Sequence, residues 1–323
     1  MSEKLRKILV VGGAGYIGSS VVGALEERKL PFTVYDHLLY ERQYLKPVDF
    51  ISGDIRDTEK LAKILPEFSH VIWLAAIVGD TACQVNPSLS VAINQESVKW
   101  LADHFDGRII FMSTCSVYGQ YDQIADESSP LNLLSLYAKT KHQAEQYLQG
   151  KNHLIFRLGT VYGLSDTHYC RLRMDLVVNF MTASAITKGK LQVFGGEQWR
   201  PLVHVKDVAK VIVDNLENDA CGIYNLATAN SQMKDLAAQV SRITGCDIEL
   251  VKQKFEDQRS YKASIEKIKK AGFLERLENI RDVEYGITEI TNLINSNRIK
   301  DIHNDLYFND RYLANLFKNG KFF

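Results

Sequence analysis

The sequence has no surplus of charge of either sign, few cysteines and no long apolar run, and each shortage removes a class of protein. Lys plus Arg and Asp plus Glu each number 39 in 323 residues, so the formal charge is zero. A chain that grips nucleic acid or another polyanion needs extra cations to neutralise phosphates, and none exist here. The five cysteines, Cys83, Cys115, Cys170, Cys221 and Cys246, are odd in number and scattered, with no pair at zinc-ligand spacing. They predict reduced thiols in a cytoplasmic protein and no metal site. The longest apolar run, 71–79, is too short to cross a bilayer, and no signal peptide is expected ahead of the core strand at 8–11. Internal repeats, low-complexity segments and long linkers are missing as well. What remains is a soluble, intracellular α/β chain, long enough for one large domain or two intimate ones.

One stretch organises the rest: Lys7-Ile8-Leu9-Val10-Val11-Gly12-Gly13-Ala14-Gly15-Tyr16-Ile17-Gly18. Residues 8–11 are continuously apolar, as expected of a strand buried on both faces of a parallel sheet. Glycines follow at the spacing Gly12-x-x-Gly15-x-x-Gly18, and Ile17, Val21, Val22 and Leu25 then recur at helical spacing. Strand, glycine turn and helix make the opening of a dinucleotide-binding unit. Glycines let backbone N–H groups approach a pyrophosphate, and the helix N-terminus adds partial positive charge. Read alone, Gly13-x-Gly15-x-x-Gly18 also suits a tight turn with nothing bound. A second strand over 32–36 ends in Asp36, where a carboxylate would accept hydrogen bonds from the adenosine ribose hydroxyls. No Arg or Lys follows it to hold a 2′-phosphate, only His37 and Leu38, so NAD is favoured over NADP. An Asp that merely ends a strand looks the same.

A third strand runs into Gly53-Asp54-Ile55-Arg56 before a helix over 58–65. Strands over 71–76, 108–112 and 153–158 then alternate with helices over 91–105 and 136–148. That rhythm predicts a doubly wound parallel Rossmann sheet with right-handed crossovers. After Gly163 the rhythm changes. A loop over 164–173, a helix over 175–188 and a short strand and turn over 191–196 lead to helices over 208–216 and 233–244. A strand at 222–226 lies between those helices, and Val283, Ile287, Ile290 and Ile294 mark one more helix. We expect 1–165 with 202–227 to form the Rossmann domain. The remainder, 166–201 with 228–323, is expected to form a smaller, mainly helical substrate lobe over the carboxyl ends of the strands. The tail is expected to hold one docked helix near 305–317 and a frayed tip.

Met112-Ser113-Thr114-Cys115-Ser116-Val117-Tyr118-Gly119 lies just past the fifth strand, at the mouth of that crevice, and Tyr137-Ala138-Lys139-Thr140-Lys141 follows on a helix. Residues four apart share a helix face, so Tyr137 and Lys141 point the same way. With a pKa of about 10, tyrosine is a poor base at neutral pH, but a nearby ammonium and a positively charged nicotinamide would favour its phenolate. Bringing that pKa near 7 takes about 4 kcal/mol, which two close cations in a partly dry crevice can supply. A second copy of the spacing, Tyr147-Leu148-Gln149-Gly150-Lys151, has no hydroxyl-bearing strand end beside it and reads as structural. Without its context Tyr137 too reads as a half-buried helix tyrosine. Thr114 upstream and the glycine turn favour a catalytic set of Thr114, Tyr137 and Lys141.

Together these blocks resemble the extended short-chain dehydrogenase/reductases that act on nucleotide sugars, the NAD-dependent epimerase/dehydratase family. The likeness runs on through Leu74-Ala75-Ala76, Asn94, Arg157-Leu158-Gly159-Thr160-Val161-Tyr162-Gly163 and Arg200-Pro201-Leu202-Val203-His204-Val205-x-Asp207. It implies an NAD site made of Gly12, Gly15, Tyr16, Ile17 and Gly18. Asp36 would sit on the adenosine ribose, Asp54 and Ile55 beside the adenine, Ala75 and Ala76 along the cofactor channel with Asn94 near it, and Tyr137 and Lys141 at the nicotinamide. Thr114, Tyr137 and Lys141 become the catalytic hydroxyl, base and lysine. Arg200 and Arg259, the latter in Asp257-Gln258-Arg259-Ser260-Tyr261, match arginines that hold the substrate diphosphate, a task suited to a planar fork. Asn179 resembles a nucleotide-contacting asparagine. Surface charge for either arginine and a helix cap for Asn179 are the plainer readings.

Departures bear on the reaction. Sugar 4,6-dehydratases of this family carry Asp-Glu after the catalytic threonine, whereas Cys115 and Ser116 stand here and lack the charge and pKa range for that proton transfer. Cys115 reads as a small buried neighbour of the strand or as a reactive thiol. Thr160 replaces an asparagine that contacts substrate in many epimerases. Leu74-Ala75-Ala76-Ile77-Val78-Gly79, Cys83, Asn86-Pro87 and Arg171-x-Arg173-x-Asp175-Leu176-Val177-Val178-Asn179 resemble enzymes that oxidise or epimerise C4 of nucleotide-activated heptoses and related sugars. The loop over 80–87 suits packing as well as sugar recognition. The expectation is an NAD-dependent C4 epimerase of a nucleotide sugar, a homodimer by resemblance. The alternatives are a net C4 oxidoreductase and a non-catalytic dinucleotide sensor.

Overall fold

A computed structural model of the chain describes residues 7–40, 46–166, 172–251, 259–277, 279–299 and 301–320. Seven strands, all parallel, form the central sheet in the spatial order Gly222–Leu226, His153–Leu158, Arg108–Thr114, His70–Trp73, Ile8–Val11, Phe32–Asp36 and Phe50–Ser52. The direction of winding reverses between Ile8–Val11 and His70–Trp73, which opens a crevice at the carboxyl ends. Val11 pairs with both Tyr35 and Trp73, so the glycine turn, Asp36 and Leu74 leave the sheet at one level. Because successive strand residues face opposite ways, the apolar first strand feeds two cores. Val10 packs with Val21, Leu25, Val34 and Ile72 on one face, and Leu9 and Val11 pack with Trp73, Leu101 and Phe111 on the other.

The expected strand over 71–76 ends at Trp73, and Leu74 to Ala76 turn into the crevice instead. The expected helix over 91–105 is three pieces, Pro87–Val91, a π-helical turn Ala92–Glu96, and Ser97–His104. The fifth strand continues to Thr114, two residues past its expected end. The expected short strand over 191–196 forms as Lys190–Phe194, whereas the other short strands carried no clear pattern in the sequence. Gln120–Ala125 pairs with Ser260–Ala263, Lys190–Phe194 pairs with Asp247–Val251, and Trp199–His204 lies between Thr160–Tyr162 and Ala229–Gln232. The lobe thus holds small sheets beside its helices Val177–Lys188, Met233–Thr244 and Val283–Asn295. The domain boundary expected between 201 and 202 falls inside the strand Trp199–His204. In the tail, a 3₁₀ turn, Asp305–Tyr307, precedes the helix Asn309–Lys318, whose Leu313 and Phe317 pack against Ile77, Cys83 and Leu89. Residues 321–323 of the expected frayed tip lie outside the described residues.

A buried polar network backs the crevice. Ser113 Oγ donates to Glu145 Oε1 (2.5 Å), and Arg157 Nε and Nη2 donate to the two Glu145 oxygens (2.9 and 2.7 Å). Arg157 Nη1 donates to Tyr118 Oη (3.1 Å), which donates to Asn225 Oδ1 (2.7 Å). Burial pushes the Glu145 carboxyl up, but hydrogen bonds from Arg157 and His142 outweigh it and hold it below the usual carboxylate range. Removing one member of such a pair strands the other's charge at a cost of about 3–5 kcal/mol. Glu145→Ala is expected to lose about that much unfolding free energy in urea titrations. A loss of about 1 kcal/mol or less would mean that Arg157 finds another partner or water.

Candidate active site

A cleft of about 790 Å³ runs along the carboxyl ends of the central strands. Gly12, with φ +86°, presses against the next crossover: a Cβ there would come within 2.5 Å of Ala75 N. A Cβ on Gly18 would lie 2.2 Å from Gly12 O, so these two glycines let strand, turn and helix close on one another. Gly15 meets only Gly12 O, at 3.2 Å, and gives the helix Tyr16–Glu27 no side-chain cap, leaving the helix dipole turned to the cleft. Asp36 accepts from Ala14 N through Oδ2 (3.0 Å) and from Leu38 N through Oδ1 (2.7 Å). Burial pushes its carboxyl up, against those two N–H groups. Each oxygen retains a lone pair, which suits ribose hydroxyls and repels a 2′-phosphate. Asp54 is forked by Arg56 and, with Ile55, Ala75 and Ala76, lines the same channel. The residues present fit a dinucleotide of the NAD type.

Thr114 Oγ1 accepts from Ser116 N (3.1 Å), which leaves its own proton to donate. Thr114, Tyr137 and Lys141 all line the cleft. Lys141 is buried, with Nζ 4.4 Å from the centre of the Phe111 ring and no carboxylate partner among the described residues. Burial pulls its pKa down to about 8. The chain's own groups do not give Tyr137 the lowered phenol pKa that a cationic nicotinamide was expected to help bring about. Burial pushes it up, as do the facing Cys83 and Asp80, and Arg173 opposes them. Desolvation outweighs Arg173, the one cation that favours the phenolate among these neighbours. Tyr147 and Lys151 do not line the cleft; Lys99 lies over the Tyr147 ring and Lys151 pairs with Asp106. Cys115 is wholly buried, its thiol pushed up by burial and donated to Arg157 O (3.2 Å), which suits packing rather than reactivity.

At the lobe end, Thr160, Arg200 and Arg259 line the cleft. Arg200 Nη1 donates to Trp199 O (2.9 Å) and to Arg259 O, and Arg259 pairs with Asp80. Two expected contact residues lie behind the wall. Asn94 is stapled to Ile77, accepting from its N–H (2.8 Å) and donating to its carbonyl (2.9 Å). Asn179 is likewise spent on backbone, accepting from Gly163 N (2.9 Å) and donating to Arg173 O (2.8 Å). Arg171, Asp257 and Gln258 lie outside the described residues. The structure adds cleft residues to which the sequence reading gave no individual role: Asp80, Arg173, Tyr261 and the tail's Phe308 and Asn309. Arg173 is held bidentately by Asp175 (2.9 and 2.8 Å), and Asp175 also accepts from Asn309 N (3.1 Å). Arg173 and Asp80 sat inside quoted motifs, but nothing in the sequence placed the tail there. Among the described residues no cluster of His, Cys, Asp and Glu could hold a metal ion, and no helix is long and apolar enough to cross a membrane.

Fold and cleft together define a Rossmann protein whose cleft suits a dinucleotide and is lined by Thr114, Tyr137 and Lys141. The family model for the NAD dependent epimerase/dehydratase family matches residues 8–227, and the chain belongs to that family. A Methanocaldococcus jannaschii protein, named provisionally as a UDP-glucose 4-epimerase, is 28% identical over 308 residues, covering 90% of this chain and 99% of its own. The Thermotoga maritima UDP-glucose 4-epimerase, solved with UDP-glucose, superposes with a TM-score of 0.77 at 24% identity, over 90% of this chain and 99% of that one. The Bacillus anthracis dTDP-glucose 4,6-dehydratase, solved with NAD, gives 0.72 at 22%, over 91% and 97%. The fold is therefore common to epimerases and dehydratases, and only the residues of the cleft distinguish the reactions.

The lysine gives a test of the geometry. Its pKa of about 8 lies below the 10.5 of a hydrated lysine, so between those values the unfolded chain binds more protons and stability rises with pH. Lys141→Met removes that dependence. Relative to wild type, the variant is expected to be favoured most below pH 8 and to lose about 3 kcal/mol of that advantage by pH 10.5 in urea titrations. A difference that does not change with pH would show that the ammonium stays hydrated.

Proposed function

We propose that the protein epimerises C4 of a nucleotide-activated sugar through a transient 4-keto intermediate. The observation that carries this reading is the convergence of Thr114, Tyr137 and Lys141 on the cleft that also holds the dinucleotide cradle, with no acid after Thr114. NAD bound in that cradle supplies a hydride acceptor and a positively charged ring. Tyr137 takes the proton of the C4 hydroxyl and returns it after the sugar has turned over. Thr114, whose oxygen already accepts from Ser116 N, donates to the C4 oxygen and steadies it. Lys141, with its pKa of about 8, is largely charged at neutral pH and favours the phenolate that burial alone disfavours. Arg200 and Arg259 hold the diphosphate at the far end, with Thr160 beside the sugar. Gripping the remote nucleotide while leaving the sugar loose permits the turn. Cys115 and Ser116 offer no carboxylate for proton transfer at C5 and C6, so dehydration is disfavoured. In the same reading the protein is a cytoplasmic homodimer through the helices Ser97–His104 and Leu136–Tyr147, an association that light scattering would report.

Tyr137→Phe is expected to keep its dinucleotide and lose turnover by about 10²–10⁴-fold; near-normal activity would remove the proposed base. Product NMR on a panel of UDP-, GDP-, CDP- and dTDP-sugars tests the reaction itself. Conversion to a stereoisomer without lasting NADH absorbance supports epimerisation. Stoichiometric, lasting absorbance supports net C4 oxidation, and a panel that neither binds nor reacts supports a dinucleotide sensor.

A further inference from the structure

The ion pair between Asp80 and Arg259 joins two walls of the cleft that are distant in the chain. Asp80 follows Gly79, whose φ of +107° turns the chain out of the cofactor wall, and Arg259 precedes the strand Ser260–Ala263. Only one oxygen of Asp80 is engaged, Oδ2 with Arg259 Nη1. The other, Oδ1, is buried and has no hydrogen-bond partner among the described residues. Folded proteins leave few buried acceptors without a donor, because such an atom forfeits its hydration and gains nothing in return. Asp80 also acts on Tyr137, where with Cys83 it opposes ionisation of the phenol. Ala82 and Cys83, on the short helix Asp80–Val85, pack in one cluster with Tyr137, so the carboxylate stands between Arg259 and the tyrosine, where the sugar would lie.

We infer that Asp80 determines which sugar is accepted. Arg259 exchanges the Asp80 carboxylate for the substrate diphosphate, and the freed carboxylate turns to accept hydrogen bonds from hydroxyl groups of an uncharged sugar. The inference rests on the nucleotide-sugar reading given above. Both partners gain in the exchange. The guanidinium trades one anion for another with matching planar geometry, and a carboxylate with about four acceptor sites, one oxygen of which was stranded, meets a ligand rich in donors. The same charge selects against acidic sugars, since a uronate would set carboxylate against carboxylate in a partly dry cleft. Asp80 would thus supply both the attractive and the repulsive part of the specificity.

The test uses NAD-loaded enzyme, wild type and Asp80→Asn, with Asp80→Ser as a second variant in case the first loses its fold. Calorimetric titrations compare UDP-glucose with UDP-glucuronic acid, GDP-mannose with GDP-mannuronic acid, and the bare diphosphates UDP and GDP. Wild type is expected to prefer the neutral sugar. The variants should narrow that preference by about tenfold or more, while affinity for the bare diphosphate stays level or rises. An unchanged neutral-to-uronate ratio overturns the inference, as does a wild-type preference for the uronate. An equal loss for bare diphosphate and neutral sugar overturns it too, because Asp80 would then only hold Arg259 in place. If wild type binds none of the sugar nucleotides, the functional reading falls, and the inference with it.

Discussion

The buried pair of Glu145 and Arg157 is the constraint on which the active site depends. Glu145 lies on the helix that carries Tyr137 and Lys141, and Arg157 lies in the strand beside the one that ends in Thr114. Ser113, immediately before Thr114, donates to the same carboxylate. One ionised group therefore sets the distance between the helix bearing the base and the strand end bearing the hydroxyl. A buried pair of this kind is weak evidence of stability, because desolvating two charges offsets most of their attraction. What it provides is geometry, since no apolar contact could fix both elements in direction as well as in distance.

The cofactor end is governed by close approach instead. Gly12 and Gly18 let the first strand, its turn and its helix press together until no Cβ fits, and Ala75 follows directly across the gap. Asp36 closes the turn by bonding Ala14, so the group that would hold the ribose also braces the loop that would hold the pyrophosphate. Asn94 and Asn179 extend the pattern one layer outward. Each spends its amide on the backbone of a cleft segment, Asn94 on Ile77 and Asn179 on Gly163 and Arg173. The walls keep their shape because polar side chains behind them replace the sheet bonds that the loops have given up.

Electrostatically the protein alone is incomplete. Burial disfavours the charged form of both Tyr137 and Lys141, which raises the phenol and lowers the ammonium. Neither residue is tuned for proton transfer by its neighbours in the chain. Asp80 and Cys83 make the surroundings of Tyr137 still less favourable to a phenolate. With the chain's own groups alone, the Tyr137 phenol keeps its proton, because burial, Cys83 and Asp80 outweigh Arg173.

The sequence by itself determined the Rossmann half, since apolar runs at 8–11, 71–73 and 154–156 bounded by turn and helix signals suit buried parallel strands, and glycine spacing and Tyr137-x-x-x-Lys141 are local geometry. It also marked Arg200, Arg259 and Thr160, which the fold brings to the same cleft as Thr114. It said less about the small sheets, because strands such as Gln120–Ala125 and Ala229–Gln232 are short, polar and exist only by virtue of their partners. It gave Asn94 and Asn179 contact roles only by resemblance, because whether an amide faces a ligand or a backbone group depends on neighbours far away in the chain. For the same reason only tertiary structure showed that Phe308 and Asn309 reach the cleft, that Asp175 aims Arg173, and that Asp80 meets Arg259. Periodicity and turn chemistry are written in adjacent residues. The pairing of charges across a cleft is decided by the packing of segments whose separation along the chain carries no signal.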